Sequence, residues 1–152
     1  DLQIAQDISA FQESNKFGSN FFIIATAKEG HSLAELNDVI QQEINKLKAE
    51  PPTQRELDRA VNQFEAQFLD NLEMVGGFGG KADLLNQFYY MTGNPDYFNE
   101  SISRYRTFSV FDVQTAAATY LKNNGRVVVS VVPIGQKELS VEKINKEKNN
   151  EK

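Results

Sequence analysis

The chain has 152 residues, and its composition and charge already exclude several classes of protein. Hydrophobic residues make up 40% and charged residues 24%, which is typical of one globular domain with a real core and excludes collagen-like, disulfide-rich and wholly disordered chains. The net charge is −5 and the basic residues are scattered, so nucleic acid is not an expected partner. There is no cysteine, and His31 is the single histidine, which excludes thiolate metal sites and every site that needs two histidines. No run approaches the roughly 18 apolar residues of a membrane span.

The first part of the chain predicts an antiparallel hairpin. Residues 2–12 alternate well enough for a first strand, a polar turn follows at residues 14–18, and residues 21–27 are rich in strand formers. The first strand starts almost at residue 1 and no lead-in precedes it. We therefore expect an upstream part of the domain to be missing from this chain.

Five helices are predicted to follow the hairpin, and three of them begin with a capping box, in which a Ser or Thr cap is followed three residues later by an acidic residue. The boxes are Ser32 with Glu35, Thr53 with Glu56, and Ser109 with Asp112. Two prolines at residues 51–52 end the first helix, and the third helix is expected at residues 81–91. Asn94 and Pro95 predict the cap and the first helical position of the fourth.

The predicted element order ends on a third strand. After residues 123–125 end the fifth helix, residues 126–132 consist almost wholly of valine and predict a strand that Pro133 closes. The order β-β-α-α-α-α-α-β predicts an α+β fold, with a small, mostly antiparallel sheet and helices packed on one face. Three strands make a thin sheet, which again predicts missing upstream strands. Residues 136–152 predict a linker or disordered tail, so the domain is expected at residues 1–135.

The glycine-rich stretch at residues 76–80 invites comparison with a phosphate-binding loop. A Walker loop has the pattern G-x-x-x-x-G-K-[ST] after a strand, whereas Gly80 and Lys81 are followed by Ala82 and a helix precedes them. We interpret the stretch as a flexible joint between two helices. A loop that contacts a peptide or a partner domain is the alternative.

His31 precedes a helix cap and predicts a surface or turn residue. Zinc needs three or four protein ligands, and neither H-E-x-x-H nor H-x-x-E-H occurs. No G-x-S-x-G elbow accompanies it, so a Ser-His-Asp triad is not indicated. The residues therefore predict no catalytic and no metal-binding site in this chain, and no substrate-binding residue can be named from them.

Two further groups of side chains have a structural interpretation. Aromatic residues recur at helical spacing, which favours a shared core, with a wall that binds peptide side chains as the alternative. They are Phe88, Tyr89, Tyr90, Tyr97, Phe98, Tyr105, Phe108 and Phe111. The carboxylates Glu65, Asp70 and Glu73 lie downstream of Arg55 and Arg59 on the second helix and predict a solvated charged face.

An ordered set of short motifs covers about residues 2–135 and carries a family resemblance. The main motifs are Phe22-Ile23-Ile24-Ala25, Gly79-Gly80-Lys81-Ala82-Asp83-Leu84-Leu85-Asn86, Gly93-Asn94-Pro95-Asp96-Tyr97-Phe98, Phe111-Asp112-Val113-Gln114 and Arg126-Val127-Val128-Val129. In this order they resemble the pitrilysin/insulinase family of zinc metallopeptidases, which includes mitochondrial processing peptidase.

The resemblance implies an α+β unit that is repeated two or four times, with paired halves that close around a peptide. In the family, zinc is held in the first unit by an inverted H-x-x-E-H motif and a downstream glutamate, and no residue of this chain matches them. The implied role is a non-catalytic structural or chamber domain of a zinc metalloendopeptidase, packed against a zinc-bearing domain of the same polypeptide or a paired subunit. An inactive scaffold or binding subunit is the alternative, and the implied location is the bacterial periplasm or cell envelope.

The resemblance also suggests which unit this is. The second half of such proteins often carries an arginine and a tyrosine just before the strand equivalent to residues 6–12. Counting back from residues 22–24, the tyrosine position falls near Ala5 and the arginine precedes residue 1. The chain departs from that pattern and looks more like the second unit of the zinc-bearing half, with residues 136–152 as the start of the linker to the next half.

Overall fold

The computed structural model describes residues 2–141, which form a two-stranded antiparallel sheet and five α-helices. The strands are β1 (Ala5–Glu13) and β2 (Asn20–Ala27), and the helices are α1 (Leu33–Ala49), α2 (Gln54–Glu73), α3 (Lys81–Thr92), α4 (Phe98–Arg106) and α5 (Val110–Tyr120). The predicted α+β class is confirmed. None of these helices is both long enough and apolar enough to cross a membrane.

Helix α1 covers one face of the hairpin, as predicted. Cross-strand partners share a face, and Ala10 lies opposite Ile23 while Phe11 lies opposite Phe22. On β2, Ile23 and Ala25 are half-buried and Phe22 is exposed, so burial alternates with the period of a half-covered strand. Because α1 packs against β2, the face that carries Ile23 is turned toward the helices.

Two of the three predicted capping boxes are complete. Thr53 and Ser109 each accept a hydrogen bond from the backbone N–H three residues on, and the carboxylates of Glu56 and Asp112 accept from the cap N–H in return. The box at α1 is only half-formed, because the carboxylate of Glu35 pairs with Nδ1 of His31 at 3.0 Å.

The predicted start of the fourth helix is wrong. Helix α4 begins at Phe98 with Tyr97 at its N-cap, four residues after Asn94. Oδ1 of Asn94 instead accepts from the backbone N–H of Asp96 at 3.0 Å, two residues on. This local bond makes an Asx turn, which holds the link between α3 and α4 in a non-helical conformation.

The predicted third strand is also wrong within the residues that the structure describes. Residues 126–132 belong to no sheet, and none of their backbone groups bonds another backbone group between residues 2 and 141. A strand requires a neighbour that completes its ladder, and valine-rich composition does not supply one. The described sheet therefore has two strands where the sequence predicted three.

Few side chains are fully buried. Among the described residues, the buried side chains are those of Ile4, Leu36, Leu57, Phe68 and Ala117. The composition permits a closed core, but much apolar surface stays open.

The end of the described chain makes a short turn. Lys137–Leu139 form a 3₁₀ helix, and the backbone N–H of Val141 donates to Oγ of Ser130 at 3.1 Å. The rest of the predicted linker or tail, residues 142–152, lies outside the described residues.

Candidate functional site

The described residues hold no cluster suited to a metal. Between residues 2 and 141, no group of three or more His, Cys, Asp or Glu side chains converges on one point. His31 pairs with Glu35 at the start of α1, and this pair supplies two ligands where zinc needs at least three from the protein.

The chain by itself should not bind zinc tightly. A site built from one imidazole and scattered carboxylates suits harder cations better than zinc. Isothermal calorimetry of the 152-residue chain at neutral pH should show no zinc binding with a sub-micromolar dissociation constant. Sub-micromolar binding that His31→Ala abolishes would contradict this expectation.

The glycine-rich stretch connects α2 to α3, as predicted, and the backbone amides at its end and at the start of α3 are engaged. The N–H of Lys81 donates to the carbonyl of Met74 at 2.7 Å, and that of Ala82 donates to Val75 at 3.2 Å. The N–H of Gly79 donates to the carboxylate of Asp83 at 2.9 Å. A phosphate loop needs free amides that point at the anion. These amides bond the chain's own oxygens, and the carboxylate of Asp83 beside Gly79 would repel an anion.

Half of the predicted aromatic group forms a shared packing layer between α2, α3 and α4. The ring of Phe68 lies 6.1 Å from that of Phe98 and 6.4 Å from that of Phe88, and the rings of Phe88 and Phe98 meet edge-on at 5.1 Å. Phe64 stacks on Tyr105 at 3.8 Å between centroids. Phe64 and Phe68 come from α2, which the sequence prediction did not include in the group. We call these five side chains, together with Tyr97 beside Phe88, the aromatic cluster.

The other predicted aromatics lie at the surface, and among them only Phe108 packs on the cluster within residues 2–141, with its ring edge-on to Tyr105 at 6.0 Å. The core interpretation is wrong for the other three. Tyr89, Tyr90, Phe108 and Phe111 are all exposed. Tyr90 has the ammonium group of Lys16 5.2 Å from its ring centre, a cation–π contact that joins the hairpin turn to α3. An exposed aromatic therefore contributes here to the contact between elements.

The predicted solvated face of α2 is wrong at one position. The guanidinium of Arg106 donates two hydrogen bonds to the carboxylate of Glu65, at 2.6 and 3.0 Å, and so ties α4 to α2. This bond lowers the pKa of Glu65 and raises that of Arg106. Asp70 and Glu73 remain exposed, as predicted.

Acid should destabilise the fold through three carboxylates. Hydrogen bonds from Thr53, Arg106 and Ser109 lower the pKa of Glu56, Glu65 and Asp112 respectively. A carboxyl group whose pKa is lower in the folded state stabilises the fold above its unfolded pKa, and loses that contribution as the pH falls through the folded value.

The melting temperature should therefore be flat above about pH 5 and fall progressively below about pH 4. Glu65→Gln should reduce the slope of this acid limb, measured by circular dichroism, because it removes one titrating partner. Asp70→Asn on the same helix is the matched control and should leave the slope unchanged. Equal slopes for the wild type and Glu65→Gln would refute the role given to this pair.

Two long-range polar contacts position α1 and could not be found from the sequence. The amide of Gln114 on α5 donates to the carbonyls of Lys48 and Ala49 at 3.1 and 3.0 Å, which satisfies carbonyls at the C-terminal end of α1. The guanidinium of Arg126 donates through Nη1 to Oε1 of Gln41. The partners lie 65 or more residues apart along the chain, so no local pattern announces them.

Comparison with known proteins gives a sequence match and a fold match. Residues 1–64 match the family model of the peptidase M16 inactive domain. The inactive peptidase domain of a candidate zinc protease from Bordetella parapertussis has the same fold, with a TM-score of 0.66 and 18% identity, over 86% of this chain and 70% of that one. No curated protein matches the sequence. The match over residues 1–64 supports the family resemblance carried by the motifs, and the chain has the fold of an inactive peptidase domain.

Proposed function

We propose that this domain forms a wall of the peptide-cleaving chamber of a zinc metalloendopeptidase and packs against a separate zinc-bearing domain. The observation that supports this most directly is the apolar face of the hairpin that α1 leaves open. Phe11 and Phe22 stack there with ring centres 5.3 Å apart, and Ile24 follows on the same face of β2. All three side chains are exposed.

The centre of the open face, around Phe11 and Phe22, suits an apolar surface. An uncovered apolar patch on a domain marks a place where a companion protein, domain or ligand binds. The polar positions on the same face are Asp7 opposite Thr26, Ser9, and Glu13 opposite Asn20. The two carboxylates lie six residues apart on one strand, which is too far for them to act together as an acid–base pair. The face can therefore hold apolar side chains in place without taking part in bond cleavage.

In the proposed enzyme the chemistry belongs to the other domain. The family's reaction uses a zinc-activated water with a glutamate as general base, and no residue of this chain matches either component. This domain would contribute by orienting the peptide and by excluding water from the chamber. We further propose that it is the second unit of the zinc-bearing half and that the enzyme works in the bacterial periplasm or cell envelope, both on the family resemblance alone.

The proposal is tested by a quenched-peptide assay on three samples. They are the 152-residue chain, its parent polypeptide, and the parent with the glutamate of its upstream H-x-x-E-H motif changed to glutamine. We expect chelator-sensitive cleavage by the intact parent alone, because this domain holds no metal centre among the residues that the structure describes. Cleavage by the chain itself would refute the non-catalytic assignment.

Two substitutions in the parent polypeptide test the role of the open face. Phe22→Asp should lower kcat/KM at least tenfold, since a buried charge would disrupt the wall, whereas Phe17→Asp at the exposed hairpin turn is the matched control. Full activity of Phe22→Asp would reject the wall. The alternative is an inactive scaffold or binding subunit of the same fold, and a parent without activity that binds a partner subunit stably would favour it.

A further inference from the structure

We propose that Asn124 is a site of non-enzymatic modification, at which the side-chain amide is converted to isoaspartate and Arg126 is released from its bond to α1. The proposal is independent of the chamber role. It rests on the residue that follows Asn124, on the single bond that holds the Gly125 amide and on the contact that Arg126 makes two residues later.

The turn after α5 holds the one Asn-Gly sequence of the chain. Asn124 precedes Gly125, and no other asparagine of the 152 residues is followed by glycine. An asparagine side chain can close a five-membered ring with the backbone nitrogen of the next residue, and a side chain on that next residue hinders the closure. Glycine has no side chain and allows unusual backbone angles, so Asn124 has the least hindered neighbour of any asparagine in the chain.

The local structure lets the reacting groups meet. Asn123–Gly125 form a 3₁₀ helix of three exposed residues, and the N–H of Gly125 donates to the carbonyl of Lys122 at 3.2 Å. Such a short turn has poor hydrogen-bond geometry and opens at little cost. Nothing lies within 4 Å of the position that a Cβ of Gly125 would take, so the ring has room to form. The ring joins neighbouring residues of one chain and needs no partner at this surface.

The reaction balances with water as its single co-reactant. The nitrogen of Gly125 loses its proton and bonds to Cγ of Asn124, and the side-chain nitrogen of Asn124 leaves as ammonia with a proton in its place. Water then opens the ring at one of its two carbonyl carbons. Opening at the backbone carbonyl of Asn124 gives isoaspartate, in which the main chain runs through the former side chain, whereas opening at Cγ gives aspartate.

The product lies just before the contact that ties this part of the chain to α1. The guanidinium of Arg126 donates through Nη1 to Oε1 of Gln41. Isoaspartate adds one atom to the backbone ahead of Arg126 and places a carboxylate, ionised at neutral pH, in the same turn. A charged acceptor binds a guanidinium more strongly than a neutral amide oxygen does, so the new carboxylate competes with Gln41. The modification therefore weakens the bond between Arg126 and α1.

Ageing of the full 152-residue chain at physiological temperature tests the site. A purified isoaspartate methyltransferase with labelled S-adenosylmethionine measures the isoaspartate, and fragmentation of the tryptic peptide 123–126 locates it. Isoaspartate should form at Asn124 with a rate proportional to hydroxide concentration, because the attacking nitrogen must lose its proton. Asn123, in the same turn but followed by a side chain, is the internal control and should keep its amide.

Gly125→Ala provides the matched variant. It should slow the conversion at least tenfold, because the added Cβ crowds the attacking nitrogen. The variant should fold normally, since its Cβ meets nothing within 4 Å and the φ angle of Gly125 is not positive. Isoaspartate that forms no faster at Asn124 than at Asn123, or no slower in Gly125→Ala than in the wild type, overturns the proposal.

The melting temperature of the aged samples tests the release of Arg126. It should fall in the wild type as isoaspartate accumulates and stay constant in Gly125→Ala. In Gln41→Met, which lacks the acceptor of Arg126 from the start, ageing should lower the melting temperature much less than in the wild type. An aged wild type with an unchanged melting temperature, or equal falls in the wild type and Gln41→Met, would overturn the proposed effect on α1.

Discussion

Replacing Phe68 with alanine should lower the free energy of unfolding by about 3–5 kcal/mol, the usual loss for a large buried aromatic. Phe68 is only 6% exposed and lies at the centre of the aromatic cluster, in contact with rings from α2, α3 and α4. Truncation removes contacts with three helices at once and leaves a cavity that their backbones cannot close. Urea unfolding followed by circular dichroism measures the loss.

Phe78 provides the matched control for this substitution. Its side chain is fully exposed in the joint between α2 and α3, so Phe78→Ala should change the stability by less than about 0.5 kcal/mol. Phe68→Leu should give an intermediate loss, because most of the apolar volume is retained. Equal stabilities of the Phe68→Ala and Phe78→Ala variants would contradict the packing described for the aromatic cluster.

Replacing Gly80 with alanine should lower the free energy of unfolding by about 1–3 kcal/mol, because the added Cβ has no room. It would lie 2.7 Å from the carbonyl oxygen of Gly76 and 3.0 Å from that of Met74, and both are backbone atoms that cannot rotate away. The carbonyl of Met74 also accepts the N–H of Lys81, so a shift would weaken the start of α3. The melting temperature measures this loss.

The same joint contains two comparison sites for the Gly80 variant. Gly76→Ala should be nearly neutral, because nothing lies within 4 Å of the added Cβ and the φ angle is not positive. Gly79→Ala should cost about 1 kcal/mol for a different reason, namely its left-handed φ of 78°. None of the three variants, nor the wild type, should bind ATP. Saturable ATP binding, or a Gly76→Ala variant as unstable as Gly80→Ala, would overturn this account of the joint.

The elements predicted correctly depend on signals between near neighbours. The hairpin follows from a short turn between two strand-forming runs, and α2 and α5 begin where a Thr or Ser meets an acidic residue three positions on. These interactions form within one turn of chain, so the sequence specifies them completely. Even so, His31 altered the box at α1 by competing for Glu35, which is a local effect that the pattern did not include.

The elements predicted wrongly depend on partners that lie far away. Residues 126–132 have the composition of a strand, but a ladder needs a second strand at the right place in space. In the same way, Glu65 looks solvated until Arg106 approaches from a helix 41 residues later. Local patterns contain no distance information across such separations.

The sequence did not identify any side chain that would contact a substrate, and the physical reason is different. Side chains that would bind by apolar contact, as we propose for Phe11 and Phe22, carry no motif, because any large apolar residue at those positions would make a similar face. Only the order of many short motifs along the chain pointed to a peptidase, and it did so by resemblance. Which side chains would touch a substrate depends on the surface left open after packing, and that surface is a property of the fold.

The two hydrogen bonds from Gln114 to the C-terminal end of α1 have a consequence for how the domain unfolds. They join α5 to α1, which in turn supports β2, while the aromatic cluster and the Arg106–Glu65 pair join α2, α3 and α4. The chain crosses between these two groups twice, at the prolines of residues 51–52 and again between α4 and α5. Each group thus has its own internal bonds and can open as a separate cooperative unit. A force applied to the hairpin therefore acts first on α1 and α5, and it reaches the three helices around Phe68 only through the Lys16–Tyr90 contact and the two chain connections.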